Sequence, residues 1–453
     1  LYDSNFNHST IYDNIYIDQQ MVGGLTKEQA LEKLRSDWQK KLDQVKIRLW
    51  HHDDEWLLSH EDIRLSSDFD QVVEEAYNIG RRGGFAGRIK EIRSLKENPV
   101  HLSSKMTYQA EALKPKLQEI AEELNTQPVD ASVSFNPDDE VKFKIKREQP
   151  GRVLKTDLAI KEIDAGLAQG ELAFSVELQF DMIMPRVTAA DFEGKTEKLV
   201  TFGTDLSQSA PDRTHNIVLA ASQFNGLVLQ PGEILSFNEV VGERTAEKGY
   251  RSAPMIVADK SLQPAIGGGV SQASTTLYNA SIRADLDVIE YQRHSFPVSY
   301  IDKGLDTTVN LPSPVIDIKV KNTKTSPVYI RTFYANKKIY FEMYGEPLPN
   351  GRTIRIRTEE YETVPAPKSE IRRDEAGKYV TYEDQQYVYV SPRQGYKVRV
   401  YREYLEDGKV VESELLDDHY YRPIGGIIYV GVKKRPAPEQ TPEPDEGSQD
   451  NGE

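Results

Sequence analysis

The sequence predicts a multidomain α+β protein: two helix-plus-hairpin modules, a central α+β domain and a C-terminal all-β extension. Three observations carry this reading. At 453 residues the chain exceeds what one hydrophobic core supports. Before residue 190, runs with helical spacing are followed at least twice by alternating, hairpin-like runs. From Thr201 the texture changes to a Gly- and Asn-punctuated stretch, and after about residue 330 it changes again to short Tyr-, Val- and Ile-rich runs joined by polar turns.

The elements follow in order. Thr26 and Gln29 fit a capping box that opens a helix running to about Lys41. VKIRLWHHDDEWLLSHEDIRL alternates around His-His-Asp-Asp and predicts a hairpin, and residues 68–95 return to helical spacing. After Pro115 comes another helix, then SVSF, the turn Asn136-Pro137-Asp138-Asp139 and VKFKIK as a second hairpin. Thr156 is the expected cap of the next helix, and ELAFSVELQF the strand after it. The expected divisions are an N-terminal extension 1–11, modules 12–104 and 105–196, a central domain 197–332, a β-rich extension 333–434 and a disordered Pro- and acid-rich tail 435–453.

A net charge of -15 argues against nucleic acid as the main partner. The basic stretch 81–95 reads as a solvated helix face. No run of about 18 to 20 apolar residues is present to cross a bilayer. The start at Leu1, without a charged-then-apolar signal, suggests a processed or trimmed N-terminus from which an anchor was removed. Cysteine is absent, which excludes disulfides, a thiolate nucleophile and thiolate metal sites in the chain as written.

The eight His are scattered with no metal-ligand spacing, and the His51–His60 cluster reads as a polar turn. No phosphate loop, dinucleotide fingerprint or Gly-x-Ser-x-Gly elbow is present, and no cofactor is implied.

The informative stretch is Gly267-Gly268-Gly269-Val270-Ser271-Gln272, followed by apolar spacing at Ala273, Leu277, Ala280 and Ala284. Ser271 is thereby placed at a helix N-terminus, where free N–H groups and the dipole suit a nucleophile or an oxyanion. His294 follows about 23 positions later, at the polar end of the strand-like VIEY. On spacing alone, a glycine helix cap with a structural histidine is the favoured reading.

Ordered short motifs alter that balance. NIVLAA, NG, LQPGE, SFN, VGERT, GY, GGGVSQASTTLYNA, HS, PVSY and GLDTTV, spread over roughly residues 197–332, resemble the VanW domain. GGLTKEQALEKL and AYNIGRRGG more loosely resemble the peptidoglycan-binding modules that precede such domains in Gram-positive surface proteins. The resemblance implies an extracytoplasmic protein at the cell surface or wall, commonly anchored by an N-terminal membrane helix absent from this chain.

It also implies L,D-transpeptidase chemistry on peptidoglycan stem peptides, with carbapenems as possible acylating ligands. In the family, cysteine usually occupies the position of Ser271, so that position is the nucleophile site and His294 the base, with Glu290 or Asp306 to orient it. The loop Gly267, Gly268, Gly269 and Gln272 is the oxyanion region, with N–H donors from Gly269 to Gln272. Arg244, Tyr278 and Ser295 are substrate-contact candidates; for Arg244 and Tyr278, an ion pair or simple packing reads equally well. The Ser, in a chain with no Cys at all, suggests an engineered Cys-to-Ser inactivation. Tyr291 is a second departure, because the family often has Arg there. The alternatives left open are a non-catalytic wall-binding or glycopeptide-response protein and, more remotely, a metal hydrolase.

Overall fold

A computed structural model describes residues 9–256 and 262–435. The expected tail 435–453 and extension 1–11 therefore lie largely outside the described residues. The chain divides into two compact units, 1–131 with 147–188, and 132–146 with 189–453.

In the first unit the capping box forms as expected. Thr26 Oγ1 accepts from the Gln29 N–H at 3.2 Å and Gln29 Oε1 from the Thr26 N–H at 3.0 Å, opening the helix Lys27–Leu42. The helical run expected over 68–95 is two helices, Phe69–Asn78 and Phe85–Ser94, because the chain turns between them through Gly80 at φ +75°. The second of these buries no residue, as a solvated basic face should. Thr156 is the first residue of its helix, Thr156–Ala168, and not its cap; Lys155 holds the cap position and no side chain bonds there. ELAFSVELQF is two strands, Ala173–Glu177 and Phe180–Ile183.

Two apolar cores fill this unit. One joins Ile11, Ile15, Ile17 and Val22 to Ala30, Leu34, Phe69 and Val73. The other joins the hairpin Lys46–His51 and Asp54–Leu58 to Leu117, Ile120, Ile160 and Ile163. Strand Ala173–Glu177 pairs parallel with Lys46–His51, Phe174 opposite Ile47 and Val176 opposite Leu49. The second core thus draws on residues from both segments expected as separate modules. Alternation shows which face of a strand is buried but not which distant strand lies beside it.

The second unit centres on an antiparallel sheet in the order Glu197–Asp205, Lys338–Gly345, Val328–Ala335, Val228–Leu229. Two helices, Pro211–Ser222 and Val270–Arg283, bury Ile217, Ala220, Leu277 and Ala280 in a core with Ile330, Ile339, Phe341 and Met343 of the sheet. The two strands around residues 328–345 complete this sheet with the strand that begins at Glu197, so they belong to the central fold.

Strands Thr353–Val364, Gly395–Glu406 and Lys409–Tyr421 form an antiparallel sheet of their own. It reaches the central core through Val400. The hairpin Ser132–Phe135 and Phe143–Lys146 belongs to this unit too, where Phe143 packs edge-on against Tyr329 at 5.0 Å between ring centroids. Among the described residues no helix is long and apolar enough to cross a membrane.

Candidate active site

The strand pair Ser252–Ile256 and Leu262–Ile266 leads into the three glycines. Gly268 passes so close to the neighbouring chain that a Cβ there would lie 2.2 Å from the Ala253 carbonyl oxygen. Gly269, at φ +100°, is the N-cap of the helix Val270–Arg283, a conformation that disfavours other residues. Asn216, buried on the preceding helix, clamps this turn. Its Nδ2 donates to the carbonyls of Arg251 at 2.8 Å and Gly268 at 3.0 Å, and its Oδ1 accepts from the Arg251 N–H at 2.8 Å.

Ser271 is the second residue of the helix and only half-buried, whereas residues 272–282 behind it are all buried. The expected donors around it divide. The Val270 N–H bonds the Gly267 carbonyl at 3.3 Å and the Gln272 N–H bonds the Gly269 carbonyl at 2.8 Å. The Ser271 N–H has no partner among the described residues. The Gln272 side chain faces inward, donating to Thr204 Oγ1 and the Asp205 carbonyl and accepting from Arg213. It locks the helix start to the sheet.

A strap, residues 304–310, runs along the first turns of this helix. Ser274 and Thr275 bond the Thr307 carbonyl, and the Thr307 N–H bonds back to Thr275 Oγ1 at 3.0 Å. The Ser271 hydroxyl lies 3.3 Å from Thr308 Oγ1 and accepts from the Val309 N–H at 3.3 Å. Two residues earlier, Asp306 Oδ2 accepts from both the backbone N–H and the Nδ1 of His294, each at 2.8 Å. One short strap therefore touches position 271 with one end and His294 with the other.

The two acidic candidates separate clearly. Glu290 is exposed and ion-paired with Lys319 at 2.7 Å, whereas Asp306 is 1 % exposed and bonded to the imidazole. Burial would push the Asp306 carboxyl up. Hydrogen bonds from His294 and Tyr421, together with the His294 charge, outweigh it and hold the group below its ordinary value.

Tyr421, from the strand Lys409–Tyr421, donates to Asp306 Oδ1 and accepts the Gly304 N–H at 2.9 Å. Arg293, 1 % exposed, donates to the Asp306 carbonyl at 2.6 Å and to the Tyr278 hydroxyl at 2.9 Å, and pairs with Asp417 at 3.0 Å. Burial works against the Arg293 charge, but Tyr278 and Asp417 keep its proton more tightly held than usual.

The remaining candidates scatter. Tyr278 is buried with its hydroxyl spent on Arg293, so it packs within the protein. Ser295 is exposed. Arg244 packs against Gly267 and donates through Nη2 to Asn238 Oδ1 at 2.7 Å, while its buried Nη1 has no partner among the described residues. Burial lowers its basicity. Among the described residues no three or more His, Cys, Asp or Glu gather as a metal site; His51 instead meets Arg152 Nη1 at 2.9 Å.

Residues 212–344, which hold the glycine turn, the helix, the strap and His294, match the family described as "VanW like protein". The chain carries a VanW-like domain. Residues 56–174 match a second family, described as "Putative peptidoglycan binding domain". A Bacillus subtilis protein, the uncharacterized YoaR, is 37% identical over 161 residues, 36% of this chain and 52% of that protein. The vancomycin B-type resistance protein VanW of Enterococcus faecalis is 27% identical over 197 residues, 40% of this chain and 70% of that one. The match thus spans about half the length of the first relative.

Two solved G5 domains also match. The HP0197-G5 crystal structure is 30% identical over 18% of this chain and 97% of its own, with a TM-score of 0.11. The IgA1 protease G5 domain is 21% identical over 19% and 98%, with a TM-score of 0.13.

Sequence reasoning missed Arg293, Asp417 and Tyr421 around the VanW-like site. Arg293 stands beside the histidine and gave only its charge as a signal. Asp417 and Tyr421 lie 124 and 115 positions from their partners, and nothing in their local sequence points to residue 306.

Proposed function

We propose that this chain acts at the bacterial cell wall, outside the cytoplasm, and that its VanW-like domain carries an acyl-transfer centre of the L,D-transpeptidase type, disabled here by serine at position 271. The observation that carries the reading is the strap 304–310, which engages position 271 and, through Asp306, fixes His294. Residues 56–174 supply the wall-binding function that their family description names.

With a thiol at 271, His294 takes its proton and the thiolate attacks the carbonyl of the donor stem peptide's terminal amide bond. The free Ser271 N–H, at a helix N-terminus, meets the oxyanion. The C–N bond breaks, the imidazolium returns its proton to the departing amine of the terminal D-residue, and a thioester remains. An acceptor stem amine then attacks the thioester, losing its proton to His294 as the thiolate leaves. Arg244, with a spare buried Nη1, is the candidate for the terminal carboxylate. A hydroxyl at 271 lacks the acidity to enter this cycle, consistent with a Cys-to-Ser replacement.

The non-catalytic wall-binding reading is favoured by one observation, Ser271 itself. Intact mass spectrometry of Ser271→Cys beside the chain as given, after incubation with disaccharide-tetrapeptide and with a carbapenem, separates the two. An adduct on the Cys form alone supports acyl transfer. No adduct on either, with binding to intact sacculi retained, leaves the wall-binding reading.

A further inference from the structure

The site's second layer comes from the C-terminal sheet, a part of the chain outside the matched VanW-like region 212–344. Tyr421 is 1 % exposed, and its hydroxyl is used twice, donating to Asp306 Oδ1 and accepting the Gly304 N–H. Four residues earlier on the same strand, Asp417 holds Arg293, which in turn donates to the Asp306 carbonyl. The strand thus grips the strap at residues 304 and 306 and the segment just before His294. With Oδ1 taken by Tyr421, Oδ2 is left to His294, whose Nδ1 and backbone N–H both reach it. That arrangement sets the ring by two bonds and leaves Nε2 as the nitrogen able to exchange a proton.

We propose that Tyr421 is a positioning residue of the candidate active centre, and that the C-terminal sheet, through Tyr421 and the Asp417–Arg293 pair, is an integral part of that centre. The proposal rests on the acyl-transfer reading for its catalytic consequence and on geometry alone for its structural one. The phenol selects which carboxylate oxygen faces His294, while Arg293 fixes the strap's backbone. The ionisable groups facing Asp306 are His294 and Arg293 from the segment after the strand Asp287–Glu290, Tyr300 from the loop before the strap, and His419 and Tyr421 from the C-terminal strand. Tyr421 is the phenol among them that donates directly to the carboxylate.

The test uses the full chain with 13C-carboxyl-labelled aspartate, the Asp306 signal being assigned by its loss in Asp306→Asn. In Tyr421→Phe the Asp306 titration should move upward, toward the ordinary carboxylate value, because a donor to the anion is gone. Site-specific 3,5-difluorotyrosine at 421, a stronger donor of nearly the same shape, should move it downward and keeps the test decisive if the Phe variant folds poorly. On the Ser271→Cys background, Tyr421→Phe should slow acylation by roughly tenfold or more with little change in donor half-saturation. An Asp306 titration that neither replacement moves overturns the positioning role. Absence of acylation by Ser271→Cys with Tyr421 intact sinks the acyl-transfer reading alone, because the titration arm still decides the role of Tyr421.

Discussion

The two units bury different things. In the first, no polar or charged side chain is buried among the described residues, and the buried apolar ones are arranged chiefly in two cores that helices and strands face with ordinary amphipathic patterning. In the second, the apolar core is joined by a dense set of buried polar and charged groups: Asn216, Gln272, Ser274, Thr275, Thr276, Asn279, Arg293, Asp306 and Thr307 among them. A buried polar group costs free energy unless its bonds are made, and here they are made, chiefly between the helix Val270–Arg283, the strap and the strand Lys409–Tyr421. Apolar burial suffices to hold a fold together. The polar burial in the second unit goes further and sets particular atoms at particular places around Ser271 and His294.

That contrast can be broken most severely at Arg293. Arg293→Ala strands Asp417 and frees the strap, and should destabilise the second unit by about 3–5 kcal/mol in urea unfolding, with the first unit's transition unmoved. Ile163→Ala is the counterpart in the apolar core of the first unit; a loss of about 2–5 kcal/mol confined to that unit is expected in the same experiment. Equal effects of both substitutions on both units would mean that the units do not unfold separately.

Acid should act on the second unit through Asp306. A carboxyl held below its ordinary value contributes stability that is fully present above about pH 4, the unfolded value, and is lost as pH falls through the folded one. Calorimetry from pH 7 to 3 should therefore show that contribution fading in acid in the chain as given, and a flatter profile in Asp306→Asn. The smallest effect belongs to the capping box, where Thr26→Ala should cost about 1 kcal/mol, read in the first unit's unfolding.

The same contrast explains what the sequence could reveal. The α+β class, the helix opened by Thr26, the hairpins, the helix after the glycines and the C-terminal strands all follow from periods of 3.6 and 2 and from caps, which are local signals. The break at Gly80 and the one-residue shift at Thr156 are errors of boundary. The pairing of Ala173–Glu177 with Lys46–His51 was beyond reach, since many distant strands share the same alternation. At the candidate site, the placement of Ser271 at a helix start was legible from the glycine turn, and the ordered motifs singled out His294. The partner of His294 stayed open between Glu290 and Asp306, because position along the chain does not say which carboxylate is exposed to Lys319 and which is buried against an imidazole. Tyr421 and Asp417 were silent, as polar residues on a strand that reads like any exposed one.

The most direct test of the central claim, that position 271, His294 and Asp306 work as one unit, is the single-turnover acylation rate of Ser271→Cys compared with Ser271→Cys/His294→Gln on a tetrapeptide donor. Loss of the base should slow the reaction by about a hundredfold or more. Equal rates in the two proteins would contradict the assignment of His294 as the base and reduce its bond to Asp306 to a structural one.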